Sequence, residues 1–225
     1  MKEQLTVKAL YNSPEHTRAW PLLSKFEYPW EALADLSDFI LSLGPTLPKE
    51  IYEKAGEGIW IAKSATISPL ATITGPTIIG ENSQVRPGAF IRGSALIGDT
   101  VVVGNSTELK NCILFDNVQV PHYNYVGDSI LGYKAHMGAG AVTSNIKADK
   151  KNIVIHAGDD TIETGRRKVG AMLGDYADVG CNSVLNPGSI VGPRTNLYPL
   201  SFVRGYVPAD SIMKNGGKVV KKEER

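Results

Sequence analysis

Cysteine is scarce in this chain. There are two, Cys112 and Cys181, and they form no CxxC pair, which argues against a disulfide scaffold and for a reduced, cytoplasmic setting. An excess of either charge is also lacking. The formal net charge is +1, so no broad polyanion-binding surface is available and nucleic acid is not an expected partner. Long apolar runs are missing too. None approaches the length of a membrane span, and the opening MKEQLTVKALYNSPEH turns polar after its first few residues, without the apolar core of a signal peptide. No membrane partner is therefore expected.

What is present is enough for a sizeable core: 42% of the 225 residues are apolar. Three zones separate. Residues 1–58 read as helices and loops. Ser13 is placed to cap a helix that Pro14 opens. Pro29 opens another, on which Trp30, Leu33, Leu36, Ile40 and Leu43 share one face before Gly44-Pro45 ends it. A short helix is expected in PKEIYEKA. Residues 59–210 carry a repeat, and residues 211–225 form a charged tail expected to fray.

The repeat has a period of six. Ile61, Ile67, Ile73, Ile79, Val85, Ile91, Ile97, Val103 and Leu109 head successive sixes. Small residues recur at the fifth position, as Ala65, Ala71, Ala89 and Ala95, with Thr77, Ser83 and Thr107 fitting the same slot. This is the hexapeptide signature of a parallel β-helix, in which three short strands and their turns make one triangular coil. The aliphatic points inward and stacks on its equivalent about 18 residues away. Glycine-rich turns supply the backbone angles that corners need. The pattern resumes at Leu131 and Met137, stops, and returns with Leu173, Val179, Leu185, Val191 and Leu197. About seven coils are expected, with a protruding arm near residues 146–170. The phase slips around PHYNYVGD, residues 121–128, and His122 is expected to leave the stacked column there and face a cleft.

With the repeat in place, VRPGAF, ELKNCIL, VPHYNYVGDSILG, HMGAGAVTSN and TGRRKVGAMLGDYADVGCNSVLNPG can be read together. They resemble the C-terminal acetyltransferase domain of the bifunctional sugar-1-phosphate nucleotidylyltransferase/acetyltransferases, of which bacterial glucosamine-1-phosphate acetyltransferase is the best-known form. The resemblance covers about residues 60–210. It implies a mainly β fold, a left-handed parallel β-helix behind a short helical N-terminal segment. It also implies a homotrimer with active sites between prisms, and acetyl-CoA as co-substrate with no metal required. The nucleotidylyltransferase's glycine-rich loop has no counterpart here, so nucleotidyl transfer is not expected.

Acetyl transfer from a thioester to an amine needs a base, a donor for the oxyanion and a cradle for the substrate phosphate. His122 matches the family's catalytic histidine, and an imidazole, with an ordinary pKa of about 6.5, can accept a proton at cytosolic pH. Tyr125 matches a substrate-binding tyrosine. Arg86 and Lys110, four sixes apart on successive faces, match positions that hold the sugar phosphate, where cations suit the ligand. Asn145 matches an asparagine near the sugar amine. Lys151 lies at the spacing of another phosphate-site lysine, with Lys150 its alternative. Ala139 falls in a turn whose backbone meets the thioester, Cys181 replaces a small residue that touches the coenzyme, and Lys214 is a candidate for the coenzyme phosphates. His136 stands where the bacterial enzyme has a substrate-binding asparagine, a departure that leaves the sugar open.

The expected activity is therefore an acetyl-CoA-dependent N-acetyltransferase acting on an amino-sugar phosphate such as glucosamine 1-phosphate. O-acetyl transfer by the same base is an alternative, as is a non-catalytic β-helix assembly or regulatory module. The latter would have no reason to hold His122, Tyr125, Asn145 and the cationic positions together. A zinc site of the kind some β-helical carbonic anhydrases carry is disfavoured. The four histidines, His16, His122, His136 and His156, lack the HxxxxH spacing.

Overall fold

The inward aliphatics stack as their spacing predicts. The computed structural model describes residues 1–223. In it, Val85, Val103, Val120, Met137, Val179 and Leu197 climb one wall of a prism and are buried. Three walls form a parallel β-helix. The first face runs from Ile59–Ala62 through Thr77–Ile79, Ala95–Ile97 and the ends of Glu108–Leu114 and Tyr125–Leu131 to Ala171–Leu173, Ser189–Val191 and Tyr206–Val207. The second runs from Thr66–Ile67 to Ser211–Met213 and includes Gln119–His122, His136–Met137, Asp178–Val179 and Asn196–Leu197. The third includes Phe90–Ile91, the starts of Glu108–Leu114 and Tyr125–Leu131, Val142–Thr143, Val184–Leu185 and Phe202–Val203. The stack is slightly taller than the seven or so coils expected, since the second face is a nine-stranded sheet of which only the last strand, Val219–Lys221, is antiparallel.

Small hydroxyls at the fifth position close the corners. Thr77 Oγ1 donates to the Thr74 carbonyl at 2.8 Å, and Thr107 Oγ1 to the Val120 carbonyl at 2.9 Å. Ser83 Oγ donates to the Gly98 carbonyl and accepts from the Val101 N–H, both at 2.9 Å. Each satisfies buried backbone that a larger apolar side chain would orphan.

The phase slip is real and falls at Asn111 and at Asp128, the last residue of PHYNYVGD, but it does not displace His122. Val85 pairs with Val103, a step of 18, whereas Val103 pairs with Val120, a step of 17. The residue is lost at the corner between the third and first faces. One coil turns there on two residues with positive φ, Gly93 and Ser94; the next two coils turn on one each, Asn111 (φ 48°) and Asp128 (φ 49°). His122 itself sits in an intact rung opposite Asn105. Tyr123 (φ 52°) occupies the same corner as Gly88, Ser106 and Gly140. The histidine is exposed because it ends the strand Gln119–His122, two residues past the inward Val120, where the chain leaves the wall for the corner at Tyr123.

Both open ends of the helix are covered by antiparallel strands, and both correct an expectation. PKEIYEKA is not helical. Its residues Tyr52–Gly56 turn at Gly58 and pair antiparallel with Ile59–Ala62, the first strand of the β-helix. The charged tail is not all frayed, because Val219–Lys221 pairs with Ser211–Met213. Each strand occupies backbone groups that an exposed sheet edge would present to another chain. Residues 224–225 of the tail lie outside the described residues.

The N-terminal segment covers the first face. Pro29–Ala34 forms a 3-10 helix and Leu36–Leu43 an α-helix, and Trp30, Leu33, Leu36 and Ile40 are buried as their spacing requires. Pro14 opens the 3-10 helix Pro14–His16, but the Ser13 side chain does not cap it. The segment is strapped to a ladder of aspartates. Asp116 Oδ1 accepts from the Asp99 N–H at 2.7 Å, and Asp175 Oδ1 from the Tyr133 N–H at 2.9 Å. Against them lie Arg18, with two bonds to Asp99 of 2.8 and 3.1 Å, and the Asn12 N–H, which donates to Asp175 at 2.8 Å. His16 stacks on Tyr133 with ring centroids 3.8 Å apart.

The arm is shorter in reach than expected. Val154–Ala157 and Asp160–Glu163 form a hairpin that lies on the β-helix, with Ile153 and Ile155 against Gly188, and Ile153, Ile155 and Ala157 are buried. Only residues 146–152 remain a largely exposed loop.

Burial raises the Asp116 carboxyl above its usual range, more than its backbone bond to Asp99 lowers it. A carboxyl whose folded pKa is raised favours the fold most at low pH, and that contribution is lost as pH rises through the folded value. Asp116→Asn keeps an acceptor for Asp99 without the charge. Its melting temperature relative to the wild type should therefore be higher at neutral pH than at acid pH, where the two should converge. Asp116→Ala should lose about 1–3 kcal/mol at either pH by orphaning the Asp99 N–H. Calorimetric melts at both pH values check this.

Candidate active site

Two groups of polar side chains stand on the open walls, one on the third face at its corner with the first, the other along the edge between the second and third faces. On the third face Tyr125, Asn145 and Asp128 meet. Asn145 Nδ2 donates to the Tyr125 hydroxyl at 3.2 Å and to Asp128 Oδ2 at 2.5 Å. Asn111 Nδ2 donates to Asp128 Oδ1 at 2.8 Å. The one-residue slip thus places Asn111 and Asp128 on the same corner, one coil apart, and builds this ladder. Gly127 makes room for it, since a Cβ there would strike the Tyr125 ring. Burial, then the nearby Asp128 charge, raises the Tyr125 phenol above its usual range, so its hydroxyl stays protonated and can donate. Sequence reading named Tyr125 and Asn145 but missed Asn111 and Asp128. Their signal was the shortened repeat with Asn or Asp at its corner.

The cations do not all fall together. Arg86 and Lys110 lie on successive edges, one coil apart, as their spacing implied, and Arg86 Nη2 is 3.4 Å from Gln84 Oε1. Arg92 was missed. Its N–H donates to the Leu109 carbonyl, which puts it directly beneath Lys110 on the third face, and its guanidinium bonds Glu108 at 2.7 Å. Lys151 is exposed on the arm loop and donates its backbone N–H to Asp149 at 3.0 Å.

On the second face the edge carries His122 and the expected coenzyme residues in one line. The Gly140 N–H donates to the His122 carbonyl at 3.0 Å, which puts Ala139 one coil above His122. The Asn182 N–H donates to Ala139 O at 2.8 Å, which puts Cys181 one coil above Ala139. The Leu200 N–H donates to Cys181 O and the Tyr198 N–H to Met213 O, both at 2.9 Å, which carries the line to Pro199 and sets Lys214 in the coil above, beside Tyr198 and one residue off the line. The Cys181 thiol is free and exposed. Among the described residues the Ala139 and Cys181 N–H groups make no hydrogen bond within the chain, so the line presents donors as well as a base.

His136 stands on the second face, across the edge from Tyr125 and Asn145. Its Nδ1 is 2.8 Å from Asp178 Oδ1. His16 is in the N-terminal strap and His156 in the arm hairpin. Among the described residues no group of three His, Cys, Asp or Glu gathers in metal-binding geometry.

A buried asparagine fixes the edge. Asn124 Oδ1 accepts from the His122 N–H at 3.1 Å, while its Nδ2 donates to the Gly138 and Ala141 carbonyls at 2.8 and 3.1 Å. It clasps the His122 corner to the coil above it. Gly104 allows the coil below to approach, since a Cβ there would coincide with the Pro121 carbonyl. Asn124→Ala leaves these groups unpaired in a site that is 2% exposed. It should cost about 1–3 kcal/mol in urea unfolding, whereas His122→Ala should cost little.

These features can be set beside known proteins. Residues 73–207 match the model of the GMPPB C-terminal domain. "Bifunctional protein GlmU" of Methanococcus maripaludis is 30% identical over 199 residues, covering 88% of this chain and 47% of that protein. "Uncharacterized acetyltransferase YaiX" of Escherichia coli is 31% identical over 159 residues, covering 71% of this chain and 69% of that one. The chain spans about half the length, or less, of the bifunctional relatives it matches. Among solved structures, an acetyltransferase from Bacillus cereus aligns with a TM-score of 0.41 at 21% identity, over 72% of this chain and 76% of that one. With its hexapeptide β-helix and a family model that matches more than half of its residues, this chain belongs to the GMPPB C-terminal domain family, among the GlmU-type hexapeptide proteins.

Proposed function

We propose that this chain transfers an acetyl group from acetyl-CoA to the amine of a sugar phosphate such as glucosamine 1-phosphate, with His122 as general base. The observation that carries this reading is the single line of His122, Ala139 and Cys181 along one edge, with Lys214 one residue off that line two coils beyond Cys181. His122 to Lys214 spans four coil steps, roughly 19 Å at the usual strand separation. A thioester at the His122 end, its pantetheine amides beside the free N–H groups and its phosphates near Lys214 fit that line in order. The relatives' acetyltransferase names agree with it.

The acceptor sugar lies across the edge in this reading. Tyr125 and Asn145 hold its hydroxyls, with Asp128 and Asn111 keeping both side chains in place, and its amine reaches over the edge to His122. Lys110, with Arg86 or Arg92, meets its phosphate, and Lys151 from the arm completes the cradle. His122 takes the proton released as nitrogen attacks the thioester carbonyl. The oxyanion is met by a backbone N–H of the Ala139 turn.

Assembly follows from which walls are free. The first face is covered by the chain's own N-terminal segment, which leaves the second and third. The outward column of the third face is largely apolar, with Phe90, Tyr125, Val142, Val184 and Phe202 in register. This supports a homotrimer packed through the free walls. No helix among the described residues is long and apolar enough to cross a membrane.

A free-thiol assay with acetyl-CoA against a panel of amino-sugar phosphates tests the reading, and no thiol release above background with any of them would end it. His122→Ala should fold normally and lose about 10²–10⁴-fold in turnover. The base works only when unprotonated, so wild-type turnover should fall at acid pH, and that limb should be absent from the variant. Arg86→Ala and Lys110→Ala should mainly raise KM for the phosphorylated acceptor, by about 1.5–3 kcal/mol in binding. Light scattering should give a trimer, and a stable monomer at micromolar concentration would count against the assembly.

A further inference from the structure

His136 is tied into a column of its own. Gln119, His136, Asp178 and Asn196 stack outward on the second face in direct register. Asp178 has both oxygens engaged, Oδ1 at 2.8 Å from His136 Nδ1 and Oδ2 accepting from Asn196 Nδ2 at 3.1 Å. The His136 bond, followed by the charge it can carry, the Asn196 bond and Lys222 nearby, holds the Asp178 carboxyl below its usual range. It is therefore ionised at neutral and mildly acid pH. A carboxylate only accepts hydrogen bonds, so Nδ1 must carry a proton and the neutral ring must present its lone pair at Nε2. The His136 side chain is 42% exposed.

That arrangement has no structural need behind it. An exposed ion pair contributes about 0–1 kcal/mol, and the coil below fills the same slot with Gln119. What it provides is an oriented base next to the other one. His122 lies on the preceding coil, three residues further along its strand from Gln119. The two Cα atoms are roughly 11 Å apart by strand spacings, and two imidazoles on one wall at that separation can face a single amino group between them.

We propose that His136 is a second base for the acceptor, oriented by Asp178 as its positioning residue. The inference rests on the acetyl-transfer reading. A sugar amine arrives at neutral pH chiefly as ammonium, with one proton too many to attack. His136 Nε2 takes that proton, and the exposed ring passes it to water. The freed nitrogen attacks the thioester carbonyl and the C–N bond forms. His122 takes the second proton from nitrogen and returns it to the thiolate sulfur as the C–S bond breaks. One proton reaches solvent and one the coenzyme thiol, so the reaction balances. The charged and titratable groups around the His136–Asp178 pair are Lys222, which acts on Asp178, the groove neighbours Tyr176, Arg194, Asp210, Lys221 and Glu223, Lys134 at the turn before the His136 strand, and His122.

The test follows thiol release by the full chain with glucosamine 1-phosphate, or whichever panel member is turned over, from mildly acid to alkaline pH. His136→Asn should lose on the order of 10²-fold in kcat at neutral pH. It should approach the wild type at alkaline pH, where the amine arrives already neutral. His122→Ala should stay impaired across the range. Asp178→Asn should follow His136→Asn, because an amide N–H donated to Nδ1 moves the ring proton to Nε2. Imidazole nitrogen NMR shifts of His136 should record that change of tautomer in a variant whose circular dichroism melt shows it folded. A His136→Asn deficit that does not depend on pH, or that falls on KM alone, would make the residue a binding group and overturn the proposal while leaving acetyl transfer intact. A wild-type protein that acetylates no amino sugar would instead remove the activity on which the proposal stands.

Discussion

Every inward side chain in this protein must rest on the one a coil below it. That constraint fixes the length of each coil, because a residue gained or lost within a wall would turn the aliphatic column out into water. Coil length can change only at corners, where backbone with positive φ absorbs it. The chain uses this freedom where Gly93-Ser94 gives way to single residues at Asn111 and Asp128. Once coil length is set, outward residues at equal phase must also form columns. The chemistry sits in those columns: His122 beneath Ala139 and Cys181, Tyr125 beside the Asn111–Asp128–Asn145 ladder, and His136 beneath Asp178 and Asn196.

A stack of this kind has two hazards, its open ends and its flat walls. Both ends are closed by antiparallel strands that cannot propagate the coil. One wall is covered by the N-terminal segment, held by buried Tyr11 and the ladder of Asp99, Asp116 and Asp175. The carboxylates cap backbone N–H groups on one side and hold the strap on the other. Burial raises Asp116 and Asp175, whereas the more exposed Asp178 is lowered by His136. One residue type thus serves as scaffold on the covered wall and as an oriented charge on an open one. The two walls left free are those that carry the polar columns and the apolar third-face column.

The edge between those walls is where rigidity is most needed. Asn124, buried and fully used, binds the His122 corner to the coil above, and Gly104 lets the coil below close in. Neither residue has reacting chemistry. Together they hold the backbone on which a base and two free N–H groups are presented, which is how a scaffold lends precision to a site.

Much of this was legible in the sequence. Aliphatics recurring every six residues determine a parallel β-helix, because no other arrangement buries all of them with one side chain per turn. The helical face from Trp30 to Ile40 was equally plain. Tyr125, Asn145, His122, Ala139, Cys181 and Lys214 could be named from motifs, and the line of His122, Ala139 and Cys181, with Lys214 one residue beside it, follows once the coil lengths are known. Other features depend on which residue stands above which, and that is decided only when coil lengths are summed through every corner. The slip looked like a device for His122 because it lies nearby, yet its corners serve the Asp128 ladder. Arg92, beneath Lys110, was passed over for Arg86, since a spacing of 24 and one of 18 both look regular in sequence. The strand at Tyr52–Gly56 was read as a helix because its pairing partner, not its composition, makes it extended. His136 and Asp178 are 42 residues apart across the arm. Their pairing exists only because the arm leaves and rejoins the stack within a single coil step.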